Sequence, residues 1–314
     1  MSGIRVIRSG MLTTIQDSGR WGYQSHGVPV AGPMDPVSHR LANALVGNDR
    51  DAATLEVTLL GPELEFEDER VVAVTGADFE ITLDGKPAQA GSAFVVAAES
   101  RLRFGRRRRG ARAYLAIRGG VAVPPVLGSR ATHVISAMGG IGGRPIKAGD
   151  RLPLGVAEVS RPTVAPPNEP IVPLPGQPAP LRVLPGPQAD AFAADAFNAL
   201  QSTPYKVGQQ SDRMGFRLEG PRLTHARSAD IISDATPLGV LQVPASGQPI
   251  LLMADRQTTG GYPKIATVIT ADLPIAGQLG PGDTLLFSVC TPREAMAALI
   301  AQERALMALE SWRV

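Results

Sequence analysis

The chain has 314 residues, enough for two domains at roughly 100–200 residues each. Its 31 Lys and Arg against 29 Asp and Glu leave a formal charge of +2, too small to draw in a polyanion, so nucleic acid is not an expected partner. A lone cysteine, Cys290, excludes an internal disulfide and a multi-thiolate metal site and fits a reducing compartment.

The N-terminal segment holds no apolar stretch of about 7–15 residues such as a signal peptide needs, and nothing reaches the roughly 18 consecutive apolar residues of a membrane span. A cytoplasmic protein with no membrane partner is expected. A glycine-rich loop, Thr14-Ile-Gln-Asp-Ser-Gly-Arg-Trp-Gly-Tyr23 and on to His26, presents Asp17, Arg20, Gln24 and His26 as polar candidates, His26 as an acid or base. Asp35-Pro36 then supplies an N-cap and a proline for the first helical position, and Val37, Leu41 and Leu45 recur on one face until Gly47. Short apolar runs at 71–74, 79–83, 94–97 and 114–117 are separated by Gly, Asp and Pro, with Asp84-Gly85 as a hairpin signal. Arg106-Arg-Arg-Arg109 reads as a solvated hairpin tip. Gly139-Gly-Ile-Gly-Gly-Arg144 lacks the Lys-Ser or Lys-Thr ending of a nucleotide loop and reads as a turn.

Eight prolines fall among the 21 residues from Ser160 to Pro180, which blocks a helix interior and a central strand alike. This predicts domains at 1–160 and 178–314 joined by a linker at 161–177. Strand-like runs return at 231–232, 240–243, 250–253 and 265–270. Cys290 follows another such run and reads as buried and inert. Thr291-Pro-Arg-Glu294 is a capping box opening an amphipathic helix whose Met296, Leu299, Ile300 and Met307 should cover its own domain. The fold class is mainly β.

The densest polar stretch surrounds the run at 250–253, so its polar groups fall at strand ends and turns, where function concentrates. Gln242, Gln248 and Gln257 each donate and accept, Ser246, Thr258, Thr259 and Tyr262 add hydroxyls, and Gly260-Gly261 admits a ligand close to the main chain. Asp255 can handle or orient a proton, or else pair with Arg256; Lys264 and Arg213 can stabilise an oxyanion. The candidate catalytic residues are therefore Asp255 and Lys264. The four histidines are scattered without metal-ligand spacing, so no metal is assigned.

Seven blocks in order carry a family likeness: Thr14 to Tyr23 with Gly27-Val-Pro29, Thr75-Gly-Ala-Asp78, Tyr114-Leu-Ala-Ile-Arg-Gly-Gly120, Leu127-Gly-Ser-Arg130, Val183-Leu-Pro-Gly-Pro187, Arg213-Met-Gly215, and the stretch at 242–264. Together they resemble the family of KipA and the 5-oxoprolinase C subunit, which includes the carboxyltransferase part of urea carboxylase. Pro33 and Ala131 depart from the residues usual there, Ala and Ser. The resemblance implies two cyclophilin-like β-barrel domains with a few short helices and a C-terminal helix. It implies one component of an ATP-dependent 5-oxoprolinase, inactive alone, that opens 5-oxoproline to L-glutamate with a KipI-like B subunit and a third, A subunit. The chain lacks an Ala-Met-Lys-Met segment for covalent biotin and a nucleotide loop, so ATP is used by the complex and no cofactor is bound covalently. Two alternatives stand beside this: carboxyl transfer from biotin on a separate carrier to urea or a related amide, and regulation as an antagonist of a KipI-like kinase inhibitor.

Overall fold

The computed structural model describes residues 3–156, 165 and 167–311. Two compact units make up the chain: Met1–Arg20, Ala31–Leu174 and Glu303–Val314 form the first, and Trp21–Val30 with Pro175–Gln302 the second. The division falls between Leu174 and Pro175, inside the proline-rich stretch expected as the linker; its residues 161–164 and 166 lie outside the described residues, and 167–177 form no helix or strand.

The first unit contains β1 (Gly3–Arg8), β2 (Leu12–Gln16), α1 (Pro36–Leu45), β3 (Thr54–Thr58), β4 (Glu63–Phe66), β5 (Arg70–Leu83), β6 (Lys86–Ala88), β7 (Ala93–Val96), β8 (Arg101–Ile117) and β9 (Arg151–Pro153). Its strands form one nine-stranded sheet in the order β2-β3-β8-β4-β1-β9, with β5 pairing β6, β7 and β8. Alternation along these strands sends Ile4, Ile15, Leu55, Phe66, Val72 and Leu115 into a common core. Asp84 and Gly85 both take left-handed backbone (φ 49° and 77°), as a two-residue hairpin between β5 and β6 requires.

The runs at 71–74 and 79–83 are parts of one strand, because register shifts between Gly76 and Ile81 absorb the turn signals as bulges. For the same reason Arg106 to Arg109 are no hairpin tip. They lie inside the 17-residue β8, solvent-exposed, with Arg108 facing Glu80 at 3.2 Å and Asp78 at 3.8 Å on β5. Helix α1 starts as expected: the Asp35 carboxylate accepts from the Ser38 N–H at 2.9 Å and the Ser38 hydroxyl at 2.6 Å. Its Ala42 and Leu45 pack on Val71, Ala73, Tyr114 and Ala116.

The second unit contains β10 (Ala179–Pro185), α2 (Ala196–Ser202), β11 (Tyr205–Val207), β12 (Gly215–Glu219), β13 (Asp234–Ala235), β14 (Val240–Gln242), β15 (Ile250–Leu252), β16 (Thr259–Gly260), β17 (Lys264–Val268), α3 (Leu273–Gly277), β18 (Thr284–Val289) and the start of α4 (Pro292–Glu310). Seven strands close a barrel, β10-β17-β14-β15-β12-β11-β18, sealed by parallel pairing of β18 with β10. The mainly β expectation holds in both units. Ile231 and Ile232 form no strand, and Ile232 is exposed; pairing begins at Asp234, where β13 meets β16.

The capping box of α4 forms, with Glu294 accepting from the Thr291 N–H at 2.7 Å and the Thr291 hydroxyl accepting from the Glu294 N–H at 3.2 Å. The face turned inward is not the expected one. Leu306 is buried and Leu309 packs on the α1 core of the first unit, while Met296, Ile300 and Met307 are exposed. Arg40 fixes that end of the helix, donating to Glu303 at 2.8 Å and Glu310 at 2.9 Å. Cys290 is half-buried rather than buried, and desolvation raises its thiol pKa, which keeps it protonated. No helix among the described residues is long and apolar enough to cross a membrane.

Candidate functional site

The apolar residues of β15 commit that strand to the barrel wall, and the chain stays buried through Met253, Ala254 and Asp255 before the half-buried Arg256 and Gln257. Asp255 does not face Arg256. Its main-chain N–H donates to the Arg213 carbonyl at 2.8 Å, and its two carboxylate oxygens receive Nε and Nη2 of Arg213, each at 2.9 Å. With side-chain exposures of 5% for Arg213 and 4% for Asp255, this is a buried bidentate pair. Both carboxylate oxygens are engaged, so Asp255 orients a cation rather than standing open as a base.

Lys264 opens β17 and is 1% exposed. Its ammonium donates to Asp234 Oδ2 at 2.5 Å and to the Ala235 carbonyl at 3.0 Å. The bond from Lys264 holds the Asp234 carboxyl below the usual carboxylate range. Lys264 thus ties β17 to β13.

Three of the predicted polar residues do converge. Gln257 Nε2 donates to Gln242 Oε1 at 3.2 Å, and Gln242 Nε2 reaches the Tyr262 carbonyl at 3.5 Å. Gly260 makes room for this amide relay: a Cβ there would lie 2.5 Å from Gln242 Nε2. The glycine therefore admits a protein amide, where a close ligand was expected. Gln242, Gln257 and Tyr262 line a cavity of about 320 Å³ together with Asp212 and Arg217. Gln257 also lines a smaller cavity of about 180 Å³ with Gln24, Thr236, Arg256 and Thr258.

Other candidates stand apart. Gln248 spends its side chain on the main chain of Gly220, accepting from the N–H and donating to the carbonyl, each at 3.0 Å. Ser246 is exposed on the same β14–β15 turn, its hydroxyl accepting from the Gln248 N–H at 3.4 Å. Neither lines the two cavities, because the turn lies at the barrel end where β12 finishes. Thr259 is exposed and paired with Ala235.

The N-terminal loop divides between the units. Asp17 is buried in the first, accepting from the Ser129 hydroxyl at 2.6 Å and the Arg130 N–H at 2.5 Å. Arg20 is fully buried and donates to the carbonyls of Val126 and Ala131, both at 2.9 Å. These two residues fasten a loop. His26 belongs to the second unit, exposed at the end of the short 3-10 helix Gln24–His26. No cluster of three or more His, Cys, Asp or Glu among the described residues is arranged to hold a metal ion.

Arg256 and Thr236 were not foreseen as cavity residues, and Gln24 was expected only as part of the N-terminal loop. In sequence Arg256 reads as a partner for the adjacent Asp255; Gln24 and Thr236 are far from it along the chain, and only tertiary folding brings them to one cavity.

The family model for the carboxyltransferase domain, subdomain A and B, matches residues 26–289. The chain is 39% identical to the 5-oxoprolinase C subunit of Escherichia coli K12, over 99% of this chain and 98% of that protein. It is 34% identical to urea amidolyase of Saccharomyces cerevisiae, over the whole of this chain and 18% of that protein. The crystal structure of the Kluyveromyces lactis urea amidolyase superposes with a TM-score of 0.91 at 34% identity, over 98% of this chain and 20% of that one. The chain belongs to the carboxyltransferase family defined by subdomains A and B, which takes in both a subunit of 5-oxoprolinase and a part of urea amidolyase.

Proposed function

We propose that this chain is the carboxyltransferase-like C subunit of a cytoplasmic, ATP-dependent 5-oxoprolinase, working with a KipI-like B subunit and a third, A subunit. The observation that carries the reading is the end-to-end likeness to the 5-oxoprolinase C subunit, against a match to only 18% of the urea amidolyase. The complex would add water across the lactam of 5-oxoproline to release glutamate, with ATP consumed elsewhere in the assembly. On its own the chain would be inactive.

The geometry supports an amide as ligand. A lactam presents one N–H and one carbonyl in a plane, and the paired side-chain amides of Gln242 and Gln257 match both. The functional segment is then Asp255, Gln257, Thr258, Tyr262 and Lys264, with Asp255 and Lys264 acting as orienting charges through Arg213 and Asp234. The 34% identity to urea amidolyase favours one second reading, carboxyl transfer from a separate biotin carrier to urea. Reconstitution tests the first: the purified A and B subunits, this chain and ATP should together release glutamate from 5-oxoproline, and omission of any one should stop it. Robust turnover by this chain alone would refute the division of labour.

A further inference from the structure

Among the buried and half-buried cations around the candidate site, two are matched and Arg256 is not; Arg217, which lines the larger cavity without a carboxylate partner among the described residues, is exposed to solvent. Arg213 holds Asp255 and Lys264 holds Asp234. Arg256 donates from Nε to the Thr236 carbonyl at 2.8 Å and from Nη1 to the Met253 carbonyl at 3.5 Å, and no carboxylate among the described residues lies within ion-pair reach of it. Burial pulls its pKa below the ordinary arginine value, with no anion acting against that. A half-buried cation bonded only to carbonyls carries an uncompensated desolvation cost.

Arg256 lines the 180 Å³ cavity, and its hydrogen bonds to the protein use Nε and Nη1. Thr258 and Gln24 add polar groups there, the buried Val30 supplies an apolar wall, and Gln257 connects it to the larger cavity of the amide relay. A planar fork with its Nη2 edge uncommitted suits a carboxylate, which it can grip through paired hydrogen bonds.

We propose that the cavity beside Arg256 is a carboxylate subsite, in which Arg256 takes the free carboxylate of a small lactam and Gln257 takes its amide. The subsite selects carboxylate-bearing lactams over neutral amides such as urea or 2-pyrrolidinone. The identity of the lactam rests on the 5-oxoprolinase reading; the carboxylate preference rests on Arg256 itself.

The test titrates the full chain by calorimetry and amide NMR with three probes: 5-oxoproline, 2-pyrrolidinone, which lacks the carboxylate, and cyclopentanecarboxylate, which lacks the lactam. 5-oxoproline should bind about tenfold or more tightly than 2-pyrrolidinone, with shifts centred on Thr236, Arg256 and Thr258. Arg256→Gln should abolish that preference and Arg256→Lys should restore part of it. In the assembled complex, Arg256→Gln should raise KM for 5-oxoproline by about the same factor. Should Arg256→Gln fail to fold, the wild-type ranking and Thr258→Val, expected to weaken 5-oxoproline alone, decide the matter. No detectable 5-oxoproline binding, equal affinity for 2-pyrrolidinone, or shifts confined elsewhere overturns the subsite. If the complex turns over 5-oxoproline with Arg256→Gln as well as with wild type, the subsite fails and the 5-oxoprolinase reading survives. If the preference depends on Arg256 but the complex leaves 5-oxoproline intact, the subsite survives and the 5-oxoprolinase reading fails.

Discussion

Removing one member of the Arg213–Asp255 pair should destabilise the second unit far more than removing both. The two side chains are 5% and 4% exposed and joined by two bonds of 2.9 Å. Charge centres about 4 Å apart at an effective dielectric of about 20 attract by about 4 kcal/mol, and breaking a buried pair by deleting one partner typically costs about 3–5 kcal/mol. Arg213→Met and Asp255→Leu should each lose stability in that range, since each strands a buried charge. The double variant should cost several kcal/mol less than the sum, because no charge is left unpaired. Urea titration of all four proteins, with m-values compared to confirm a common unfolding transition, gives the coupling energy directly. Single costs under about 1 kcal/mol that add within about 0.5 kcal/mol would refute the pairing and return Asp255 to the role of an open proton acceptor.

Three further outcomes are expected. Burial lowers the His39 pKa from 6.5 to about 4, so between those values the unfolded chain binds a proton that the folded chain refuses. Stability should therefore fall as pH drops through that window, by on the order of 3 kcal/mol; His39→Gln should flatten the fall of urea midpoints there, and an unaltered slope would contradict it. Gly260→Ala places a methyl 2.5 Å from Gln242 Nε2 and should displace that amide, lowering turnover of the assembled complex at least tenfold while the barrel persists by circular dichroism; full activity would show that the relay is dispensable. We also propose that 161–177 is an accessible linker, so limited proteolysis should cut there first, and initial cuts within 240–270 would count against it.

Much of the fold was legible because its signals are local. Asp35-Pro36 caps α1 and Thr291 with Glu294 caps α4 through contacts three residues apart. The apolar runs of β14, β15 and β17 needed only their bounding turns. The continuity of β5 was not legible, since glycine marks a bulge and a turn alike until the partner strand is known. Nor was the transfer of Trp21–Val30 to the second unit and Glu303–Val314 to the first, which depends on contacts between remote segments.

The polar stretch at 242–264 stands out by composition, and the Gln242–Gln257–Tyr262 cluster lies within it. Composition could not say which charges were already spent. Asp255 bonds a residue 42 positions away, and Gln248 satisfies Gly220 across the barrel end. Arg256 is informative for the opposite reason: its sequence neighbour is taken by Arg213, which leaves it lining a cavity.

The proposed role of this chain is lactam opening rather than carboxyl transfer. The most direct measurement offers the chain both reactions in parallel. In one, it is combined with its A and B partners, ATP and 5-oxoproline; in the other, with a biotin carboxylase, a biotinylated carrier, ATP, bicarbonate and urea. ATP-dependent glutamate release is expected in the first mixture, lost when the chain is omitted, with no chain-dependent carboxylation of urea in the second. Carboxylated urea that forms only when the chain is present, with no glutamate from the complete first mixture, would contradict that role.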